Sequence, residues 1–323
     1  MIKKTAKNIW RLIKKYRKII IIASIIYAIW FFGLGILGGF LAAKGGLSAF
    51  PDIQKEDKIL ILAPHIDDEI LGTAGIIQQA VSVGAQVKVV YLTNGDDNLG
   101  SVVAEDKTLI TDPNEYIQLG EQRMKEGMAA TLTLGLTNDN LIFLGYPDKG
   151  LTPMLTTNFS KPYVSLGTQF NYNPYQGTYE ANQAYTGENV FTDLTKIINN
   201  YQPTLVFTTH PRDQHPDHSA AYQYLTKVIA NQSSKPKVYV FLIHYSLFPP
   251  NKKLQENRYL FPPKNLFTRE GWYSYNLQGD QEANKLTAID KNTSQVQGLG
   301  LTGSYRGFLE SFVKRNEIFE LMN

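Results

Sequence analysis

Two short clusters of metal-ligand residue types lie far apart in this chain. The first is Ala63-Pro64-His65-Ile66-Asp67-Asp68-Glu69, directly after the apolar run 58–62. The second is His210-Pro211-Arg212-Asp213-Gln214-His215-Pro216-Asp217-His218, directly after the run 204–209. Together they hold four of the five histidines of the chain. Because open α/β sheets carry their chemistry beyond the carboxyl ends of their strands, the two clusters predict one shared site.

The residue types of both clusters suit metal-assisted hydrolysis of an amide. A catalytic zinc ion keeps three protein ligands and one open position, and His65, Asp68 and His218 supply that number without sulfur. Bound zinc lowers the pKa of water and polarises a neighbouring carbonyl group. Asp67 suits the general base, and His215 suits the acid or the oxyanion partner. Asp217 is expected to hold a histidine by a hydrogen bond.

Two alternatives stay open for this site. Acidic residues at 67–69 are also what helix capping and the helix dipole favour, so the prediction depends on both clusters together. We expect one Zn²⁺ per chain, although iron and cobalt accept the same ligands.

The rest of the body alternates between strand and helix patterns. Strands are predicted at 58–63, 86–92, 140–144, 204–209 and 237–244, and helices at 69–83, 114–134, 190–200 and 217–232. The run 87–92 is almost continuously apolar, which is typical of a strand buried on both faces of a parallel sheet. The pattern predicts an α/β fold: a Rossmann-like, mostly parallel sheet with helices on both faces. The aromatic-rich segment 151–189 interrupts it, either to stack on sugars or to pack as a long loop.

The N-terminus has the pattern of a membrane anchor. Residues 1–18 contain eight cations and no acid, and residues 19–43 contain no charged residue. These 25 residues exceed the roughly 20 that a helix needs to cross the hydrocarbon layer. A signal peptide is the alternative, but its apolar core spans only about 7–15 residues. We therefore expect a transmembrane segment at 19–43, a linker at 44–57 and a catalytic body at 58–323.

Charge and cysteine content narrow the class of protein further. The body from residue 45 onward holds 23 basic and 29 acidic residues, so it offers no basic surface for nucleic acid. The cation excess before the apolar segment places the N-terminus in the cytoplasm and the catalytic body outside the cell. The absence of cysteine excludes disulfides and thiolate zinc sites.

The clusters resemble the signatures of the PIG-L or LmbE-like zinc-dependent N-deacetylases. Residues 64–69 resemble the His-Pro-Asp-Asp-Glu signature, with Ile66 in place of proline, and residues 215–218 resemble the second signature. The resemblance implies a Rossmann-like fold, zinc on His65, Asp68 and His218, and N-acetylglucosamine units as substrates. Asp67 would be the base and His215 the acid or electrophilic partner.

Further positions extend this resemblance. Thr93-Asn94-Gly95 and the helix that bears Arg123 are similar to family segments, which implies that Asn94 and Arg123 contact substrate. Lys285, Ala288 and Ser294-Gln295 match a late family pattern, in which Asn292 stands where His or Tyr is frequent.

We therefore expect a membrane-anchored, outward-facing zinc amidase that removes acetyl groups from N-acetylglucosamine in a surface glycan or glycoconjugate. A glycolipid or small sugar conjugate is the alternative substrate. A glycan-binding protein with a retained metal site is the alternative class. A nucleotide-binding Rossmann domain is disfavoured, because Gly72 and Gly75 do not form the G-x-G-x-x-G fingerprint.

Overall fold

The computed structural model describes residues 14–19, 21–25, 27, 47–97, 112–232, 234–267, 271–300 and 303–322. The chain divides into two compact units, Met1–Leu47 and Ser48–Asn323. The second unit includes the C-terminal part of the predicted linker, where Phe50 and Ile53 are buried.

Most of the predicted tail at 1–18 and of the predicted transmembrane segment at 19–43 lies outside the described residues. The described residues 14–19 and 21–25 are helical. Within the ranges that the structure describes, no helix combines the length and apolar character needed to cross a bilayer. The structure thus adds no support for the anchor, which stays a prediction.

The second unit is built on an eight-stranded sheet. In chain order its strands are β1 (Ser48–Ala49), β2 (Lys58–Ala63), β3 (Gln86–Thr93), β4 (Leu141–Tyr146), β5 (Leu205–Thr209), β6 (Lys237–Phe241), β7 (Trp272–Asn276) and β10 (Asn316–Met322). Their spatial order is β1-β7-β10-β6-β5-β2-β3-β4, and β8 (Leu299–Gly300) pairs separately with β9 (Gly303–Ser304). All pairings in the large sheet are parallel except the two that β10 makes with β6 and β7.

Helices flank this sheet. They are α1 (Asp68–Val83), α2 (Pro113–Leu132), α3 (Leu151–Leu155), α4 (Gly187–Tyr201), α5 (Pro216–Ala230), α6 (Gln281–Lys291), α7 (Thr293–Val296) and α8 (Arg306–Glu310). Alternate residues of the central strands, such as Leu60 and Leu62, form a buried core with residues of α4 and α5. On the other face, Gly127 of α2 packs so closely that a Cβ atom there would stand 2.8 Å from Ile66. The predicted α/β class, with a central sheet between helices, is confirmed.

The segment 151–189 contains α3 and the beginning of α4. Two of its tyrosines, Tyr175 and Tyr185, are fully buried. Tyr172 and Tyr179 are 37% and 36% exposed. Packing therefore accounts for the buried pair, while sugar stacking by the exposed pair stays a prediction.

Candidate metal centre

The two predicted clusters meet at the carboxyl ends of the neighbouring strands β2 and β5. After β2 the chain makes a sharp turn, and α1 begins at Asp68. Asp67 occupies that turn with a φ of 125°, a backbone region that non-glycine residues rarely adopt. After β5 a longer loop leads to α5, where His215 is the N-cap and its ring nitrogen accepts from the Asp217 N–H.

Three ligand atoms form a compact triangle at this edge of the sheet. His65 Nδ1 lies 3.1 Å from His218 Nε2. Asp68 Oδ2 lies 3.3 Å from His65 Nδ1 and 3.2 Å from His218 Nε2. Ligand atoms at about 2.0–2.1 Å from a tetrahedral zinc ion stand roughly 3.3–3.4 Å apart. The spacing of these three atoms is therefore compatible with a bound metal ion such as zinc, and their side chains are the three that the sequence analysis proposed as ligands.

The electrostatics of the triangle also suit a cation. Burial opposes ionisation of Asp68, but His218 and His65 hold the pKa of its carboxyl well below the usual range. Burial similarly opposes protonation of His218, yet Asp68 and Asp213 raise its pKa to about 10. The three side chains are thus arranged to favour positive charge at their centre, and a divalent metal supplies such charge.

His215 lies beside the triangle. It offers a ligand atom within 4.8 Å of those of His65 and His218. Its Nδ1 already accepts the Asp217 N–H at 3.3 Å, which leaves Nε2 to face the site. Burial and the two neighbouring histidines lower the pKa of His215 to about 2, so its imidazole is neutral at physiological pH. This position suits contact with substrate better than a place among the three ligands.

Two carboxylates of the second cluster lie behind the candidate ligand histidines. Asp213 Oδ2 lies 3.3 Å from His218 Nδ1, so Asp213 supports the ligand from the second cluster. Asp217 instead stands 3.5 Å from His65 Nε2 and accepts the backbone N–H groups of Lys149 and Leu151. The expectation that Asp217 holds a histidine stays a prediction, and His65 is the histidine that it approaches.

Asp148 is a further carboxylate that the sequence analysis did not select. Its Oδ1 lies 3.1 Å from His65 Nε2, nearer than Asp217. It follows β4, so a third strand of the same sheet contributes to this site. The sequence could have indicated Asp148, because this residue follows the strand predicted at 140–144.

The candidate base Asp67 is held in place by Arg123. The guanidinium lies 3.3 Å from Asp67 Oδ2 and also donates to the backbone carbonyls of Ile66 and Gly95. Burial raises the pKa of Asp67 to about 7, and the arginine charge opposes that rise. Gly95 has a φ of 63°, and a Cβ atom there would collide with the guanidinium.

The predicted substrate contacts, Asn94 and Arg123, are both buried. Arg123 is 3% exposed and its contacts are with Asp67 and with backbone. The side chain of Asn94 is fully buried, and its two polar atoms have no hydrogen-bond partner among the described residues. Contact of either residue with substrate stays a prediction.

An aromatic wall completes the centre, which we define as His244, Tyr305 and Phe308. The rings of His244 and His218 are 5.1 Å apart, and those of His244 and His215 are 5.4 Å apart. Phe308 of α8 stacks on His244 at 5.2 Å. Burial raises the pKa of Tyr305. The charge of Asp67 adds to this rise and the charge of Arg123 opposes it. The sequence analysis assigned no role to these residues.

Comparison with known proteins identifies the family. The family model described as PIG-L, GlcNAc-PI de-N-acetylase, matches residues 60–229. This match covers more than half of the chain and includes both ligand clusters. The chain belongs to the PIG-L family.

Two curated relatives share the same name, 1D-myo-inositol 2-acetamido-2-deoxy-alpha-D-glucopyranoside deacetylase. The protein of Corynebacterium diphtheriae is 27% identical over 184 residues, which cover 56% of this chain and 55% of the relative. That of Actinosynnema mirum is 30% identical over 183 residues, covering 54% and 56%. The chain thus spans about half the length of these relatives.

Solved structures show the same fold. The N,N'-diacetylchitobiose deacetylase of Pyrococcus horikoshii is 20% identical, with a TM-score of 0.51, and the match covers 82% of this chain and 84% of that one. The zinc-inhibited form of teicoplanin deacetylase is 18% identical, with a TM-score of 0.53 and coverage of 82% and 97%. The likeness extends over most of the α/β body, while the finer Rossmann-like assignment stays a prediction.

Proposed function

We propose that this protein is a zinc-dependent hydrolase that removes the acetyl group from N-acetylglucosamine units. The observation that carries this proposal is the triangle of His65, Asp68 and His218. Asp67 and His215 lie beside it, so groups suited to proton transfer and to oxyanion binding surround the metal position. The curated relatives, which are named as deacetylases of an acetamido sugar, support the same chemistry.

The residues divide the work of amide hydrolysis. A bound zinc ion supplies Lewis-acid chemistry and makes water more acidic. Asp67 accepts the proton that the attacking water loses, and Arg123 keeps its carboxylate oriented. Water forms a new C–O bond, the C–N bond breaks, and the amine leaves with a proton to give acetate and a free amino sugar.

His215 acts most simply as the oxyanion partner. Its Nδ1 accepts a backbone hydrogen bond, which places the proton of the neutral ring on Nε2. A neutral imidazole with an N–H at that position donates to the developing negative charge without first taking up a proton. The proton for the leaving amine then comes from Asp67.

We also propose that the protein is membrane-anchored and that its substrate is a surface glycan or glycoconjugate outside the cell. The support is the uncharged segment 19–43 behind eight cations. Four isoleucines in the described part of that segment, at positions 19, 21, 22 and 25, are between 46% and 62% exposed. A glycolipid or a small sugar conjugate is the second candidate substrate, because the curated relatives are named for a glucosamine linked to inositol.

The test is acetate release from N-acetylglucosamine oligomers by the zinc-loaded full-length protein in detergent. Release by the wild type and its loss in His218→Ala, with about one zinc ion per wild-type chain, is the expected result. Bound zinc without release from oligomers, but with release from an inositol-linked acetamido sugar, would select the second substrate. Bound sugar oligomer without hydrolysis of any acetamide would favour the glycan-binding alternative.

A further inference from the structure

We infer that His244 is a sugar-contacting residue that makes the site prefer substrates with a hydroxyl group next to the acetamido group. This inference depends on the proposed deacetylation of an acetamido sugar. It assigns a role to the fifth histidine of the chain, which belongs to neither ligand cluster.

His244 lies beside two histidines of the candidate metal centre. Its ring lies 5.4 Å from that of His215, the candidate oxyanion partner, and 5.1 Å from that of His218. It is not one of the histidines whose ligand atoms group within 4.8 Å of one another. The residue therefore borders the metal centre, next to the group proposed to face the amide carbonyl, and the substrate atoms nearest to it would be those close to the amide.

The ring of His244 is held firmly while its polar atoms stay available. Asp213 Oδ2 accepts the backbone N–H groups of both Ile243 and His244 at 2.9 Å. Phe308 stacks on the ring, and Lys252 lies over Phe308 with Nζ 4.2 Å from the ring centroid. Among the described residues, no group hydrogen-bonds either ring nitrogen of His244, and the residue is only partly buried.

A fixed, half-buried imidazole with unused nitrogens suits recognition of a hydroxyl group. Such a group offers both a donor and an acceptor, and each neutral imidazole has one of each. Sites that hydrogen-bond a substrate hydroxyl discriminate well against analogues that lack it, because their polar groups are then left unpaired. Phe308 contributes by fixing the ring plane.

Two substitutions separate the hydrogen bond from the packing. His244→Phe keeps a ring against Phe308 but removes both nitrogens, whereas His244→Gln keeps donor and acceptor atoms without the ring. Leu247→Ala is the matched control, since Leu247 lies three residues further along the same loop and is 90% exposed. Each change is made in the zinc-loaded full-length protein, which also carries Asp67→Asn to prevent turnover.

The experiment is titration calorimetry with tri-N-acetylchitotriose and with its analogue deoxygenated beside each acetamido group. We expect His244→Phe to bind chitotriose about 3- to 10-fold more weakly, as for loss of one neutral hydrogen bond. Affinity for the deoxy analogue should change less than twofold, His244→Gln should recover part of the loss, and Leu247→Ala should match the parent. Zinc content should be equal in all variants.

An equal loss for both sugars, or no loss for either, would overturn the assignment while leaving the proposed function intact. Loss of zinc in both His244 variants would also overturn it, since the residue would then support the metal. If the parent itself bound neither sugar, the proposed substrate class would fail and the role of His244 with it. Acetate release by the wild type tests the proposed function separately.

Discussion

Asp213 connects two parts of the metal centre through one carboxylate. Its Oδ2 lies 3.3 Å from His218 Nδ1 and accepts the backbone N–H of His244, while its Oδ1 accepts the N–H of His215. Carboxylates that orient a ligand histidine typically contribute 10- to 100-fold to metal affinity. We therefore expect Asp213→Asn to bind zinc about 10- to 100-fold more weakly in competition with a chelator.

The control for this substitution is Asp290→Asn, whose side chain is 44% exposed on the surface. It should bind zinc as the wild type does. Equal zinc affinity in Asp213→Asn and wild type would show that Asp213 only shapes the loop.

Asp67 lies beside the triangle without belonging to it, so its removal should separate catalysis from metal binding. Asp67→Asn should lower kcat for acetate release about 10²- to 10⁴-fold, the usual contribution of a general base. Zinc content should stay at the wild-type value, as measured by metal analysis of the same sample. A variant that lost its zinc would instead place Asp67 among the ligands.

Lys285 and Glu317 form an ion pair inside the protein. Their side chains are 1% and 2% exposed and 2.8 Å apart, and Glu317 also accepts N–H groups from α1. Removal of one partner leaves a buried charge uncompensated, so Lys285→Met should lower the free energy of unfolding by about 3–5 kcal/mol. Denaturant unfolding measures this difference.

The exposed pair between Arg306 and Asp290 is the matched comparison. Asp290→Ala should change the free energy of unfolding by less than about 1 kcal/mol, because exposed ion pairs contribute little. A small effect of both substitutions would mean that water reaches the Lys285 site.

Lys314 differs from Lys285, because among the described residues it has no ion-pair partner. It is 2% exposed, and its Nζ has no hydrogen-bond partner among the described residues. Burial lowers its pKa to about 8, against the weaker opposing effect of Glu282. Lys314→Met should therefore raise the free energy of unfolding at neutral pH by about 1–3 kcal/mol.

The pH dependence of this gain follows from the lowered pKa. Between about pH 8 and the unfolded value near 10.4, the unfolded chain binds more protons than the folded one, so wild-type stability rises with pH. The advantage of Lys314→Met should be full below pH 8 and should shrink as pH rises towards 10. Thermal unfolding from pH 7 to 10 tests this, and a constant advantage would contradict the assigned pKa.

The local sequence was sufficient to predict the central parallel strands. Strand β2 was predicted at its observed bounds, and β3, β4 and β5 within two residues. Their apolar runs are buried on both faces of the sheet, so the local sequence alone is enough to indicate these strands. The strands β7 and β10 were missed because their segments, WYSYN and NEIFELM, mix polar and apolar residues. Strand β10 is defined by antiparallel pairing with β6, about 80 residues earlier in the chain.

The proximity of His65, Asp68 and His218 could be predicted because each cluster follows a strand of the same sheet. His244 was missed for a related reason, since the strand predicted at 237–244 ends at Phe241 in the structure. Because the predicted strand was three residues too long, it included His244, which in the structure lies in the loop after β6. Tyr305 and Phe308 reach the site only through tertiary folding, which no local pattern reports.

The backbone of Asp67, with its φ of 125°, carries a conformational cost at the position of the candidate base. Holding a non-glycine residue in such a conformation costs on the order of 1–3 kcal/mol. Glycine would relieve that cost, but it would also remove the carboxylate beside the metal. The same change would leave the buried guanidinium of Arg123, which lies 3.3 Å from the Asp67 carboxylate, without its partner, and such a loss typically costs about 3–5 kcal/mol. The ion pair therefore offsets the strain of the turn, and one carboxylate holds the backbone as well as serving as the base.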